Sequence, residues 1–165
     1  MSIEQGYKQT DIGEIPEEWD IVRLQEICFT RKNRKMAVPD RVAVIPMETI
    51  PEDGIYTDYL MRKKENVKSG VYCRTGDILL ARITPSFENG KQGIVPEIPS
   101  NVAIATTEVF PIVCKDGIDS LFLFYDLKRP LVRNIFCFSY DRKHWETEAS
   151  SKGGRTFSDS SSSFC

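Results

Sequence analysis

Short apolar segments separated by Gly and Pro turns limit how this chain can fold more than any other feature. The segments "RVAVI", "DILLA", "VAIA" and "VFPIV" are rich in β-branched and aliphatic residues, and each has the length of a strand. Turn signals lie between them at Asp53-Gly54, Thr75-Gly76 and residues 99–101. Strands and helices do not alternate regularly. The pattern therefore predicts an α+β domain with a mixed or antiparallel twisted sheet and flanking helices.

Two helical segments are predicted beside these strands. Residues 21–29 carry apolar side chains that predict an extended start followed by a helical turn. Residues 119–134 predict a longer helix, because Asp119 suits the N-cap and apolar residues follow at helical spacing. Pro130 is expected to end or kink that helix.

The length and composition suit one globular domain in the cytoplasm. The chain has 165 residues, of which 41% are hydrophobic and 28% are charged. No apolar run approaches the roughly 20 residues that cross a bilayer, and the polar N-terminus lacks a signal-peptide core. The five cysteines form no C-x-x-C pair, so they are expected to be buried or idle thiols rather than a disulfide framework or a metal site.

Charge is balanced in sum but uneven along the chain. The net charge of −2 counts against a general nucleic-acid coat. Basic residues nevertheless cluster in "RKNRK" and in "MRKKENVK", where solvated loops are the plain alternative. The residues predicted to contact phosphate are Arg31, Lys32, Arg34, Lys35, Lys63 and Lys64.

Polar residues follow directly after the apolar segment 78–81, in "RITPSFENGKQ". Paired donors and acceptors of this kind read base edges in the major groove, with Arg and Lys suited to guanine and Asn and Gln to adenine. Pro85 is expected to stiffen the loop, and Gly90 to take a positive φ. An ordinary surface loop, with Arg82 paired to Glu88 or Glu108, is the alternative. The residues predicted to read bases are Arg82, Thr84, Asn89, Lys91 and Gln92.

The composition changes near residue 134, which predicts a boundary between a domain at 1–134 and a tail at 135–165. The tail holds the single His of the chain and ends in "SDSSSSFC", which has neither strand nor helix periodicity and is expected to be disordered. Shifting the reading frame by one base permits the strings "TGRQR" and "FQIPLPP". We therefore interpret the tail as a frameshift product without function.

Three motifs together resemble a known family. The stretch "GYKQTDIGEIPEEWDIVRLQEI" (Gly6 to Ile27) is similar to the opening of a target recognition domain in specificity subunits of type I restriction–modification enzymes. "GDILLARITPSFENGK" and then "ATTEVFPI" resemble the central motifs of the same family in the same order. The two off-frame strings resemble the next segment of such a domain.

The resemblance implies a DNA reader that is not itself an enzyme. It implies double-stranded DNA as the ligand and, as partners, a methyltransferase (modification) subunit and a restriction subunit. It implies no cofactor on this chain, because S-adenosylmethionine, ATP and Mg would be used by the partner subunits. Full-length members carry two recognition domains and long spacer helices, so this chain is expected to be a truncated N-terminal recognition domain.

There are three rival functions, one of them within DNA binding and two from other classes. The chain could be the recognition domain of a fused restriction–modification enzyme, which the same motifs would fit. An independent enzyme would need a carboxylate such as Asp77, but Asp77 follows a turn glycine and is expected to be structural. A protein-interaction module would present aromatic residues of the predicted helix, although these are expected to lie in the core: Phe122, Phe124 and Tyr125.

Overall fold

The computed structural model describes residues 6–11 and 13–133. These fall into two compact units, one within residues 6–23 and one within residues 24–133. The predicted tail at 135–165 lies outside the described residues, as do Cys137, Cys165 and the single His. The predicted boundary at residue 134 stays a prediction.

The first unit is a β-hairpin that the sequence pattern did not predict. Strands β1 (Tyr7–Thr10) and β2 (Gly13–Pro16) pair antiparallel, with Tyr7 opposite Pro16 and Thr10 opposite Gly13. Gly13 has a φ of 120°, a conformation that favours glycine and lets the chain reverse within a short turn. The alternation of polar and apolar side chains here is too short to distinguish a hairpin from an extended segment.

Residues 24–133 form two four-stranded sheets and one main helix. The antiparallel sheet has the order β3-β10-β7-β8, and the mixed sheet has the order β5-β4-β9-β6. A helical turn, α1 (Leu24–Ile27), leads directly into β3. The strands are β3 (Cys28–Thr30), β4 (Arg41–Ile45), β5 (Leu60–Lys63), β6 (Val71–Cys73), β7 (Ile78–Ala81), β8 (Gln92–Ile94), β9 (Ala103–Ala105) and β10 (Val109–Cys114).

The predicted α+β class and the mixed and antiparallel sheets are confirmed. The sequence motif "RVAVI" forms β4, but Pro46 ends the strand and precedes a 3-10 turn, Met47–Thr49. Gly76 takes a φ of 86° in the predicted turn before β7. Strand β5 was not predicted, because all four of its side chains are exposed and its two apolar residues are followed by two basic ones, which gives no alternating pattern.

Strand β7 is buried on both of its faces, which explains its continuous apolar run. Leu79 packs in a core with Ala43 and Ala103 of the mixed sheet. Ile78 and Leu80 point to the opposite side of the strand and pack with residues of the helix α2 (Ser120–Lys128). The unit therefore has three layers: the mixed sheet, the antiparallel sheet and α2.

Several loops meet at one end of this layered unit. Strands β4 and β9 are parallel, so both end on the same side, and the amide of Thr106 donates to the carbonyl of Ile45 at 2.9 Å. The amide of Arg82, just after β7, donates to the carbonyl of Glu108 at 3.0 Å. We call this side, where β4, β7 and β9 finish, the loop end. It is the side on which the predicted base-reading residues lie.

The helix α2 begins as predicted. Asp119 is its N-cap, and the Asp119 carboxylate accepts a hydrogen bond from the amide of Leu121 at 2.8 Å. The helix stops at Lys128, before Pro130, and a further helical turn covers residues 130–133.

The expectation that the aromatic residues of α2 all lie in the core is wrong for two of them. Phe124 is fully buried, whereas Phe122 is 64% exposed and Tyr125 is 55% exposed. A single helix face packs on the antiparallel sheet, and Phe122 and Tyr125 fall outside that face.

The cysteines of the described region are buried or half-buried free thiols, as predicted. Cys28 and Cys73 are buried and Cys114 is half-buried. Burial raises the pKa of the Cys28 and Cys73 thiols to about 12. Across residues 6–11 and 13–133, no helix combines the length and the apolar character that crossing a membrane requires.

Candidate nucleic-acid interface

The predicted reading loop, residues 82–91, is an ordered set of turns rather than an open loop. The amide of Asn89 donates to the carbonyl of Pro85 at 2.9 Å, and the amide of Lys91 donates to the carbonyl of Ser86 at 3.0 Å. Gly90 has a φ of 80°, which confirms the predicted positive φ. The amides of Phe87 and Gly90 also donate within the loop, so its side chains project from a defined framework.

Three of the five predicted base-reading residues face solvent. Arg82, Thr84 and Asn89 are all exposed. The guanidinium of Arg82 lies over the ring of Phe110, 5.8 Å from its centroid, so its stem is supported by the core while its donors remain near the surface. The loop therefore presents the Arg and Asn groups that suit guanine and adenine edges.

Lys91 is partly committed to the protein itself. Its Nζ donates to the carbonyl of Met47 at 3.0 Å, and the residue is only half-exposed. This contact joins the reading loop to the 3-10 turn after β4. In this arrangement Lys91 mainly anchors the reading loop to the 3-10 turn, and its ammonium group is less available to a ligand.

Gln92 is not a base reader in this structure, which corrects the prediction from the sequence. Gln92 is 0% exposed, and its Nε2 donates to the carbonyl of Phe124 at 2.7 Å. Its Oε1 accepts from Arg133 at 3.0 Å. Gln92 is the first residue of β8, and the sheet turns its amide inward, which spacing along the chain could not reveal.

A shallow groove of about 300 Å³ lies beside the reading loop. Its apolar lining includes Val44, Met47 and Ile104, and its polar lining includes Glu48 and Glu108. Carboxylates can accept hydrogen bonds from the cytosine amino group in the major groove. Sequence reasoning missed this groove, because separate segments of the chain contribute to it and none of them carries a motif.

The basic segment "RKNRK" lies along an edge of the mixed sheet. The Asn33 side chain accepts from the amide of Tyr72 at 3.4 Å and donates to the carbonyl of Gly70 at 3.5 Å. Lys32, Arg34 and Lys35 are exposed on either side of this contact. The Asn33 side chain therefore ties the basic segment to the backbone of β6 and of the residue before it. We call Lys32, Arg34 and Lys35 the cationic strip.

Arg31 does not belong to that strip, which corrects its prediction as a phosphate contact. Its Nε and one terminal nitrogen each donate to the carboxylate of Asp77 at 2.7 Å. Asp77 is 3% exposed and also accepts from the amide of Arg74 at 2.9 Å. The hydrogen bond to Asp77 is the main reason that the pKa of Arg31 is raised. The structural role predicted for Asp77 is confirmed, and its partner is Arg31.

Lys63 and Lys64 lie away from the reading loop. Lys63 is opposite Arg41 at the start of β4, and the amide of Lys64 donates to the carbonyl of Asp40 at 2.8 Å. The reading loop lies at the other end of β4, about 13 Å along the strand. Both lysines are exposed, but they do not share a surface with the loop. The pairing of β5 with β4 decides this separation.

The features of this site together indicate the class of protein to which the chain belongs by its surface chemistry. A layered α+β unit presents an ordered polar loop and, beside the edge strand β6, a cationic strip. Within residues 6–11 and 13–133, no group of His, Cys, Asp and Glu side chains is arranged to hold a metal ion. This combination suits a module that binds a polyanion with paired hydrogen-bonding groups, such as a nucleic acid.

Comparison with known proteins supplies the family. No family model matches the chain. It is 35% identical over 101 residues to the type I restriction enzyme EcoEI specificity subunit of Escherichia coli, covering 58% of this chain and 17% of that protein. It is 33% identical over 102 residues to the EcoAI specificity subunit of the same organism, with the same coverage. A putative type I restriction enzyme MjaX specificity subunit of Methanocaldococcus jannaschii is 26% identical over 140 residues, covering 81% of this chain and 33% of that protein.

These matches confirm the family resemblance found in the sequence motifs: the chain is similar to specificity subunits of type I restriction enzymes. The relatives are named as specificity subunits, which supports the expectation of a specificity component and not a catalytic one. The matches span 17% to 33% of the length of these relatives. A solved chain from work on type I R-M system assembly superposes with a TM-score of 0.49 at 13% identity, covering 72% of this chain and 30% of that one.

Proposed function

We propose that this chain recognises a specific sequence of double-stranded DNA as the specificity component of a type I restriction–modification complex. The observation that carries the proposal is the similarity to specificity subunits, combined with an ordered and exposed loop of base-reading side chains. In this proposal the chain binds DNA, and other subunits perform the chemistry.

Arg82, Thr84 and Asn89 are the proposed base readers. Their backbone is held by two hydrogen bonds: the amide of Arg82 donates to the carbonyl of Glu108, and the amide of Asn89 donates to the carbonyl of Pro85. A loop that is ordered before binding loses less conformational entropy when it meets the DNA. We leave Gln92 out of this set because it is buried. We leave Lys91 out because its ammonium group donates a hydrogen bond to the carbonyl of Met47.

The cationic strip is the proposed phosphate contact. Lys32, Arg34 and Lys35 are exposed and lie in the segment beside the edge strand β6. Contacts of cations with phosphates add affinity that depends on salt but carries little sequence information. The strip would therefore hold the DNA while the reading loop selects the sequence.

The proposed partners are inferred from the relatives and extend beyond this chain. The proposed assembly contains a methyltransferase subunit and a restriction subunit, which would use S-adenosylmethionine, ATP and Mg. The chain would position them by binding one part of their DNA target. No residue in the described ranges is assigned to those cofactors.

Selection from a pool of randomised duplexes tests this function. The chain is expected to enrich one motif, and its affinity for the enriched duplex is expected to fall as salt rises. Asn89→Ala should weaken binding to the enriched duplex about tenfold, and binding to random duplex much less, because one base contact is lost. The control is Asn66→Ala, which removes an exposed Asn that follows β5.

Two results would count against the proposal. A chain that enriches no motif and binds duplex DNA without salt dependence does not read DNA. If Asn89→Ala weakens binding to enriched and random duplexes equally, Asn89 is not a base reader even where the chain binds DNA.

A further inference from the structure

The reading loop is held from behind by Arg133, a residue in the helical turn after α2. One terminal nitrogen of Arg133 donates to the carbonyl of Phe87 at 3.1 Å. The other donates to Oε1 of Gln92 at 3.0 Å. The guanidinium also lies over the ring of Phe87, 5.6 Å from its centroid. One side chain thus contacts the loop at its middle and at its end.

Gln92 extends this contact to the helix. Its Nε2 donates to the carbonyl of Phe124 at 2.7 Å, and the residue is 0% exposed. The side-chain amide can satisfy the helix on one side and Arg133 on the other only in one orientation. The Gln92 amide is paired at both ends, so turning it over would cost both of these hydrogen bonds. The Nε of Arg133 is buried without a hydrogen-bond partner, so the guanidinium is held through its two terminal nitrogens.

Gly90 leaves the space that this arrangement needs. A Cβ at position 90 would lie 2.9 Å from a terminal nitrogen of Arg133. The positive φ of Gly90 turns the chain between the exposed Asn89 and the half-buried Lys91. Arg133 therefore packs closely against the backbone that presents Asn89.

The Arg133 guanidinium makes three contacts at once, with the Phe87 carbonyl, the Phe87 ring and the Gln92 side chain. The guanidinium presents two parallel donors and a flat face, whereas a lysine offers one point charge without a stacking plane. Burial lowers the pKa of Arg133, but an arginine stays charged at physiological pH. Its donors thus remain available to Phe87 and Gln92 throughout that range.

We propose that Arg133, together with Gln92, is a positioning residue that holds residues 86–91 in the conformation required for sequence-specific DNA binding. The inference deepens the proposed function, because it assumes that Asn89 reads a base. Arg133 itself contacts no DNA in this proposal. In this proposal the helical turn at 130–133 contributes to sequence specificity, because it carries Arg133.

The test compares Arg133→Met, Arg133→Lys and the control Arg129→Met in the full chain. Arg129 lies one helical turn earlier, is exposed, and pairs with Asp126 at 2.8 Å on the surface. The first measurement is hydrogen exchange at the amides of Phe87, Asn89, Gly90 and Lys91, which all donate within the loop. We expect at least tenfold faster exchange in Arg133→Met, little change in Arg129→Met, and an intermediate rate in Arg133→Lys.

The second measurement is the affinity for the duplex that the wild-type chain enriches, divided by the affinity for random duplex. We expect this ratio to fall about tenfold in Arg133→Met, as for loss of one base contact, while affinity for random duplex stays within about twofold. Arg133→Lys should recover part of the ratio, since it retains one donor. Gln92→Leu should reproduce the loss of Arg133→Met.

The outcomes separate this inference from the proposed function. If the wild-type chain enriches a motif and Arg133→Met keeps the same ratio, the inference is wrong and the function stands. Unchanged hydrogen exchange in Arg133→Met also overturns the inference. If the wild-type chain enriches no motif, the proposed function fails, and the role of Arg133 in DNA recognition fails with it.

Discussion

The buried ion pair between Arg31 and Asp77 should be one of the most costly interactions to break in this chain. The Asp77 carboxylate accepts two hydrogen bonds from Arg31 at 2.7 Å and one from the amide of Arg74 at 2.9 Å. The Asp77 side chain is 3% exposed and the Arg31 side chain is 19% exposed. Arg31 follows β3 and Asp77 precedes β7, so the pair joins two strands of the antiparallel sheet that do not neighbour each other.

The expected cost is set by this geometry. Removing one partner of a buried pair costs about 3–5 kcal/mol, because the other charge is left uncompensated. For Arg31→Met we expect about 3 kcal/mol, at the lower end of that range, since the Arg74 amide still donates to Asp77. For Asp77→Asn we expect about 2 kcal/mol, because Arg31 is exposed enough to regain some water.

A double-mutant cycle in urea, monitored by circular dichroism, measures the pair itself. The double variant should lose about 3 kcal/mol and not the roughly 5 kcal/mol of independent sites, which gives a coupling energy of about 2 kcal/mol. The control is Lys32→Met, a neighbouring exposed cation that should change the free energy of unfolding by less than about 0.5 kcal/mol. If Arg31→Met costs no more than Lys32→Met, or if the two single costs are additive, the ion pair is not the interaction that the distances indicate.

The remaining predictions test the cationic strip, a buried thiol and a close backbone contact. Arg34→Ala should weaken binding to all duplexes alike and reduce the slope of log affinity against log salt by about 0.9 for each lost phosphate contact, whereas Arg31→Met should leave the slope unchanged; equal slopes for wild type and Arg34→Ala would contradict the phosphate role. The folded-state pKa of Cys73 is raised from 9.0 to about 12, so its contribution to stability is complete below pH 9 and is lost as the pH rises towards 12. Cys73→Ala should therefore flatten the fall of unfolding free energy in this window by up to about 1.4 kcal/mol per pH unit, and parallel curves for the two proteins would refute the assignment. Gly70→Ala should cost about 2 kcal/mol in urea unfolding, because its Cβ would overlap Ile104 and lie 2.5 Å from the carbonyl of Ala105; a cost no larger than that of Ser69→Ala would show that the backbone yields easily there.

Local patterns were sufficient for the elements whose signal lies within a few residues. The apolar runs predicted β4 and β7, the Asp119 cap predicted the start of α2, and Gly90 was correctly expected to take a positive φ. Propensity and capping act between neighbours in the chain, so these features can be read from the sequence. The same holds for the family motifs, which are short and keep their order.

The orientation of single side chains could not be read in this way. Gln92 and Asn89 have similar amides and lie three residues apart, yet β8 buries the first and the loop exposes the second. Arg31 and Lys32 are neighbours in one basic cluster, but only Arg31 reaches a buried carboxylate that is 46 residues away in the chain. Phe122 and Phe124 differ in the same manner, because only one face of α2 packs on the sheet.

The sequence by itself determined the α+β class, the place of the reading loop and the family that the chain resembles. Each of these depends on residue types at fixed spacing, and spacing is present before the chain folds. Only the tertiary structure decided which polar residues of the loop are available, that Arg31 is structural, and that Arg133 lies behind the loop. Those properties depend on contacts between distant segments, and burial and partner choice are set only when the two sheets and α2 pack together.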